Sequence, residues 1–397
     1  MFSNRTSWKL TPNAFTIAQQ QALREGKEIF DLTISNPTRG GFDYDPDAIL
    51  AALRNPKSLD YDPHPKGLRR AREAVARYYL CGSDTPVRGG VGTIAEMWLD
   101  AESIVLTTST SEGYSYVFRL LCNPNDEVLV PKPSYPLFDF LADLEDVKLV
   151  PYPLIYDHGW QVDFHTLEQA ITLKTRAIVL VHPNNPTGSY VKGDERARLN
   201  RLCHEHELAL IVDEVFLDYA LGPRQPTFAT NTEALTFTLS GLSKISALPQ
   251  MKLAWIVVSG PEGIAAEAMH RLEVISDTYL SQNAPVQQAA ETLLEQRKKI
   301  QPQLMSRIEA NVREFDRQLA GQKSCARLEI EGGWYAVLRV PVTRSDEDLA
   351  IELLTRQSVL VHPGHFYDFP QDGYVVLSLV TPPITFREGI SRILPNI

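Results

Sequence analysis

The sequence predicts an α/β protein: a large domain on a mainly parallel, mixed seven-stranded sheet covered by helices, plus a smaller α+β domain. Three observations carry that expectation. Seven β-branched or apolar runs, each short enough to be a strand, fall at 103–109, 127–130, 148–151, 176–182, 208–213, 235–240 and 253–259, and such runs read as buried strands. Helix-like segments such as 111–122 and 193–206 separate most of them, and alternating strands and helices assemble into a parallel sheet with helices on both faces. With 397 residues, 44% hydrophobic and 22% charged, the chain can bury a large core in more than one lobe.

Taken in order, residues 1–45 read as an N-terminal arm that joins the smaller domain, 46–290 as the large domain and 291–397 as the C-terminal small domain. Residues 66–80 (KGLRRAREAVARYYL) form an amphipathic helical pattern ahead of the strands. The last two runs are joined by residues 241–252 alone, which is short for a parallel crossover with a helix, so 253–259 is expected to run antiparallel. Residues 286–322 read as one long helical stretch, and the runs LEIEGGWYAVLRV, SVLVHPG and YVVLSLV from 328 onward supply the second lobe.

Bulk properties narrow the partners. The 49 acidic against 39 basic residues, a net charge of −10, disfavour nucleic acid or an anionic membrane. Cys81, Cys122, Cys203 and Cys325 are far apart with no CxxC pair, which suggests neither a zinc site nor a disulfide framework. The first residues lack an apolar core of signal-peptide length and no run of about 18 apolar residues occurs, so a cytoplasmic protein with no membrane span is expected. Gly90-Val91-Gly92-Thr93-Ile94-Ala95 fits a dinucleotide fingerprint, but the preceding Pro86-Val87-Arg88-Gly89 is no strand. His204 and His206 stand two apart on a helix, do not share a face and have no third ligand nearby, so no metal is expected.

Ligands in open α/β sheets bind beyond the carboxyl ends of the strands, and polar residues collect at those ends here. Ser109 closes one run, with Thr110 and Ser111 opening the next helix; their amides and hydroxyls suit a phosphate at the positive end of that helix. Tyr135 follows a second run. Asn185 follows a third within His182-Pro183-Asn184-Asn185-Pro186-Thr187-Gly188, Asp213 ends a fourth, and Lys244 follows a fifth in Ser240-Gly241-Leu242-Ser243-Lys244, with Lys252 eight residues on.

This set of groups suits pyridoxal 5'-phosphate. Its aldehyde needs an amine for a Schiff base, which Lys244 supplies, and its ring nitrogen needs a carboxylate, which Asp213 supplies. A carboxylate following Leu-Ala-Leu-Ile-Val is expected to be partly buried and to require a partner. Lys252, Ser240 and Ser243 can neutralise and hydrogen-bond the phosphate.

On these motifs, and on the order and spacing of Asn185, Asp213 and Lys244, nearly the whole chain resembles the fold-type I pyridoxal-phosphate enzymes, specifically the class I/II aminotransferases. The resemblance implies that Lys244 forms the Schiff base and moves a proton, Asp213 pairs with the ring nitrogen, Asn185 contacts the phenolate and Tyr135 stacks on the ring. It makes Ser109, Thr110, Ser111, Ser243 and Lys252 phosphate contacts, and Tyr61 the tyrosine that reaches the phosphate of the neighbouring subunit in a homodimer. It also implies transfer of an amino group between an amino acid and a 2-oxo acid, by a ping-pong cycle through pyridoxamine phosphate.

Four departures bear on specificity. Lys252 stands where arginine is common, Phe216 where many members have a tyrosine, and Ser35 where a glycine is common near the substrate. The arginine that grips the substrate α-carboxylate aligns with Val376, leaving Arg39 in the N-terminal loop as the candidate replacement. Trp334, Tyr61 and Val376 point to an apolar or aromatic substrate. The missing arginine keeps open a lyase, a decarboxylase or a biosynthetic carbon-bond enzyme on the same fold. A binding protein without turnover is opposed by Lys244 and Asp213.

Overall fold

The computed structural model describes residues 1–81 and 99–397; the glycine-rich segment from Gly90 to Ala95 lies outside the described residues. The arm contributes the helix Ala14–Arg24, capped where the Asn13 side chain accepts from the Thr16 amide, and a short strand β1 (Phe30–Asp31).

The central sheet is built from β2 (Ile104–Thr107), β3 (Glu127–Lys132), β4 (Lys148–Tyr156), β5 (Trp160–Val162), β6 (Thr175–Val181), β7 (Ala209–Asp213), β8 (Thr236–Gly241) and β9 (Ala254–Ser259). Across the sheet the order is β2-β9-β8-β7-β6-β3-β4-β5. Strands β8, β7, β6, β3 and β4 are mutually parallel. As the short link before it requires, β9 runs antiparallel, wedged between β8 and β2.

The sheet has eight strands where seven were expected. The extra one, β5, is a three-residue edge strand that folds back antiparallel on the end of β4. Three residues are too few to show the alternation that marks a strand in sequence.

The interior strands carry apolar residues on both faces because helices cover both. Ile211 and Val179 pack on one side with Val117 and Phe118 of the helix Thr110–Leu121. Leu210, Val212 and Ile178 point the other way, against Leu199 and Leu202 of the helix Gly193–His206. The expected helix at 66–80 is Arg69–Cys81. The stretch 286–322 divides into two helices, Ala284–Glu295 and Arg297–Leu319.

After these helices the chain forms β10 (Ala326–Arg327), β11 (Tyr335–Arg339), β12 (Val359–Leu360), β13 (His362–Pro363) and β14 (Tyr374–Ser378). Four of them make an antiparallel sheet in the order β10-β11-β14-β13. The remaining β12 pairs in parallel with β1, which ties the arm to the last third of the chain. The turn after β6 also docks there: the Gly332 amide donates to the Gly188 carbonyl at 2.9 Å. Gly188 has φ +72 and any Cβ on it would come within 2.5 Å of the Gly332 carbonyl oxygen, so both conformation and contact demand glycine.

Among the described residues no helix is long and apolar enough to cross a membrane, and no group of His, Cys, Asp and Glu could hold a metal ion. His204 and His206 are exposed at the end of their helix.

Candidate active site

At the carboxyl ends of the parallel strands lies a cavity of about 290 Å³ whose lining includes Ser109, Thr110, Ser111, Tyr135, Asn185, Asp213, Ser243, Lys244 and Lys252. Parallel pairing alone brings several of these together. The His182 amide donates to the Asp213 carbonyl at 2.8 Å and the Glu214 amide to the Leu239 carbonyl at 2.8 Å, so β6, β7 and β8 end level and their following residues meet.

Asp213 is buried. Its Oδ1 accepts from the Val215 amide at 3.1 Å and its Oδ2 from the Tyr114 hydroxyl at 3.4 Å. Burial pushes its carboxyl up to about 6, while these two donors and the charge of Lys244 oppose the rise. Lys244 sits in the four-residue helix Leu242–Ile245 that β8 leads into. Burial brings its ammonium down to about 8, against the pull of Asp213. The apolar surroundings are named by distance: Nζ lies 4.7 Å from the centre of the Trp334 ring and 5.5 Å from that of Phe216. The Tyr219 hydroxyl donates to the Lys244 carbonyl at 2.6 Å and fixes the backbone beneath.

No hydrogen bond among the described residues engages the Asn185 side chain: its buried Oδ1 is unpaired and its Nδ2 is left to donate. Its neighbour Asn184, by contrast, accepts from the Thr187 hydroxyl at 3.0 Å. At the other end of the cavity the helix Thr110–Leu121 begins. Ser109 is its N-cap, with Oγ accepting from the Glu112 amide at 3.1 Å, and Glu112 in turn accepts from the Thr108 amide at 2.7 Å. The first turn is therefore rigid, and its remaining amides and the Thr110 and Ser111 hydroxyls line the cavity. Tyr135 is held edge-on by Phe138, with ring centres 6.2 Å apart.

Several expected site residues stand elsewhere. Ser240 is buried and its hydroxyl donates to the Glu214 carbonyl at 3.5 Å, away from the cavity lining. Trp334 packs behind Lys244, wholly buried against Phe216 and Tyr219, and does not line the cavity. Its neighbour Tyr335 does, because consecutive residues in extended chain face opposite ways. Arg39 is exposed in the turn Pro37–Arg39 and outside the lining, whereas Ser35 belongs to it. Tyr61 is 83% exposed and borders a separate surface cavity with His64 and Arg69. Val376 is wholly buried, paired with Val337 and His362 in the smaller sheet.

Three residues of the site escaped the sequence reading. Thr108 and Tyr335 line the cavity, and Ser35 lines it with them. Tyr114 reaches Asp213 from within a helix and belongs to none of the motifs singled out in the sequence. A buried phenol needs a partner for its hydroxyl, but nothing in the sequence says which.

Residues 27–385 match the family model for aminotransferase class I and II. The glutamate-pyruvate aminotransferase AlaA of Haemophilus influenzae is 28% identical over 375 residues, which cover 91% of this chain and 89% of that protein. An alanine aminotransferase of Mycobacterium tuberculosis is 27% identical over 374 residues, covering 90% of this chain and 82% of its own. In fold, the chain matches the alanine aminotransferase of Pyrococcus furiosus with a TM-score of 0.84 at 21% identity, over 99% of this chain and 98% of that one.

Proposed function

The chain belongs to the class I and II aminotransferases, and from that premise we propose that it transfers an amino group between an amino acid and a 2-oxo acid with pyridoxal 5'-phosphate held in the strand-end cavity. The observation that carries this reading is one cavity shared by an amine brought down to about 8, a buried carboxylate and a helix N-terminus rich in hydroxyls. The donor set fits the cofactor group by group: Lys244 for the aldehyde, Asp213 for the ring nitrogen and the uncommitted Asn185 amide for the phenolic oxygen. Tyr135 suits the ring face. The helix amides, with Ser111, Ser243 and Lys252, suit the phosphate.

When bound, the cofactor supplies an electrophilic aldehyde and a conjugated ring that draws electrons from the substrate carbon. Lys244 Nζ, poised between protonated and neutral forms near neutral pH, takes the proton from that carbon and returns it. Asp213 stays ionised to pair with the ring nitrogen. Phe216 and the Trp334 ring behind it keep water from Lys244 Nζ, and Tyr335, packed edge-on against Phe216 at 6.2 Å, orients the substrate together with Ser35.

Among the described lining residues the charged groups are Asp213, Lys244 and Lys252, and this reading assigns all three to the cofactor. No charged lining residue is left for a substrate carboxylate, so an amino acid with one carboxylate and an apolar or aromatic side chain is favoured over an acidic one with two. The exposed Tyr61 suits a homodimer in which it reaches the partner's site, and an acidic chain with no membrane-crossing helix among its described residues suits the cytoplasm. A second reading, a lyase or decarboxylase on the same site, is favoured by one observation: Val376 sits where a carboxylate-gripping arginine would stand.

An absorbance titration of the cofactor-loaded protein with single amino acids, without an oxo acid, tests the reading. Release of one oxo acid per site, with the amine left on the cofactor, is expected. Release of ammonia or carbon dioxide instead selects the second reading.

A further inference from the structure

Tyr114 belongs to no motif, yet it makes the one side-chain hydrogen bond to Asp213 among the described residues. It lies inside the helix Thr110–Leu121, one turn past the N-cap, and is buried. Its ring is fixed edge-on by Phe138 at 5.3 Å and tilted against Phe118 at 6.0 Å. Tyr114 does not line the cavity, whereas Asp213 does, so the hydroxyl approaches the carboxylate from behind. Phe138 also buttresses Tyr135, so one aromatic ring positions both the residue that faces the cofactor ring and the residue that braces Asp213.

We infer that Tyr114 is a positioning residue: its hydroxyl tethers Oδ2 of Asp213 from the core side and leaves the carboxylate's free lone pairs for a ligand in the cavity. An ionised carboxylate has about four lone-pair sites. Two are used, by the Val215 amide and the Tyr114 hydroxyl, no other described group takes the rest, and Asp213 lines the cavity. A buried charge with two fixed donors is held in one orientation, while with the backbone donor alone it can rotate or take up a proton. The inference rests on the reading of Asp213 as the ring-nitrogen partner.

The titratable groups that face Asp213 are Lys244, Tyr114 and Tyr135. Burial opposes ionisation of the carboxyl, while the Val215 amide, the Tyr114 hydroxyl and the charge of Lys244 favour it. Loss of the Tyr114 hydroxyl therefore moves the titration of Asp213 to higher pH, and phenylalanine in its place preserves the packing with Phe118 and Phe138.

The experiment compares wild type with Tyr114→Phe by infrared titration of the buried carboxyl band in the cofactor-free full chain, the band being assigned by its loss in Asp213→Asn. Cofactor dissociation constants are measured alongside at pH 6 and pH 8. A several-fold to about tenfold rise in the proton affinity of Asp213 is expected. Weaker cofactor binding at pH 6 and near-equal binding at pH 8 should accompany it. An unchanged carboxyl titration overturns the inference even if the cofactor binds. A shifted titration in a protein that does not bind the cofactor upholds the Tyr114–Asp213 coupling and sinks the proposed function instead.

Discussion

Lys244 Nζ lies 4.7 Å from the centre of the Trp334 ring, and that ring is wholly buried. The ring face offers an ammonium some compensation, but far less than the water it displaces, so burial dominates and the group comes down to about 8 from its ordinary 10.5. The first prediction follows from the sign. The neutral amine, the form that attacks an aldehyde, grows as pH rises through about 8. The rate at which the cofactor-free protein captures pyridoxal phosphate should rise about fivefold from pH 7 to pH 8, about twofold more above pH 8, and then flatten. A rate still climbing to pH 10 would show an ordinary lysine.

Replacing Lys244 by methionine should separate function from stability. Turnover should fall by about 10³ or more, since the linking amine and the proton carrier are lost together. The cofactor-free protein should melt higher, because the penalty of burying an ammonium below pH 8 disappears while the chain length and the contacts with Phe216 and Trp334 remain. A lower melting temperature would mean that the lysine's attraction to the charge of Asp213 outweighs its desolvation.

Phe216 borders the cavity with no polar atom to offer. Phe216→Tyr adds a hydroxyl donor on that wall, which should favour the ionised form of whatever oxygen it meets. The visible band of the bound cofactor should then titrate at a lower pH than in wild type. Spectra recorded across pH 5–9 decide this, and an unmoved transition means the added hydroxyl points elsewhere.

Asn185→Ala should leave the fold nearly untouched, because the amide oxygen has no partner to lose. Chemical denaturation of the cofactor-free protein should shift by no more than about 0.5 kcal/mol. Cofactor affinity should drop roughly tenfold, the worth of one hydrogen bond to a charged oxygen. A large loss of stability with unchanged affinity would make Asn185 a turn residue.

Arg39 is exposed and outside the cavity, while Tyr335 and Ser35 both line it. Arg39→Ala should therefore leave KM for an amino acid donor within about twofold. Tyr335→Phe should raise KM about tenfold with a smaller change in kcat, by removing a buried hydrogen-bond donor. The reverse pattern would restore Arg39 as the carboxylate partner.

The sequence by itself determined seven of the eight central strands, their mainly parallel direction and the residues that close them. Apolar runs bounded by turn residues are local signals, and the residue that ends a parallel strand must come to the ligand edge; hence Asp213, Asn185, Lys244 and the helix start at Ser109 were legible. The antiparallel β9 was legible too, because a short link leaves no other direction.

What only the tertiary structure decided was which face a residue presents and which distant residue it meets. Trp334 and Tyr335 are neighbours in sequence, yet one backs Lys244 and the other lines the cavity. Ser240 turns away from the cavity that Ser243 enters, and Tyr114 finds Asp213 across the helix–sheet interface. Side-chain direction follows from pleat and packing, and packing is settled between elements far apart in the chain, so no local pattern encodes it.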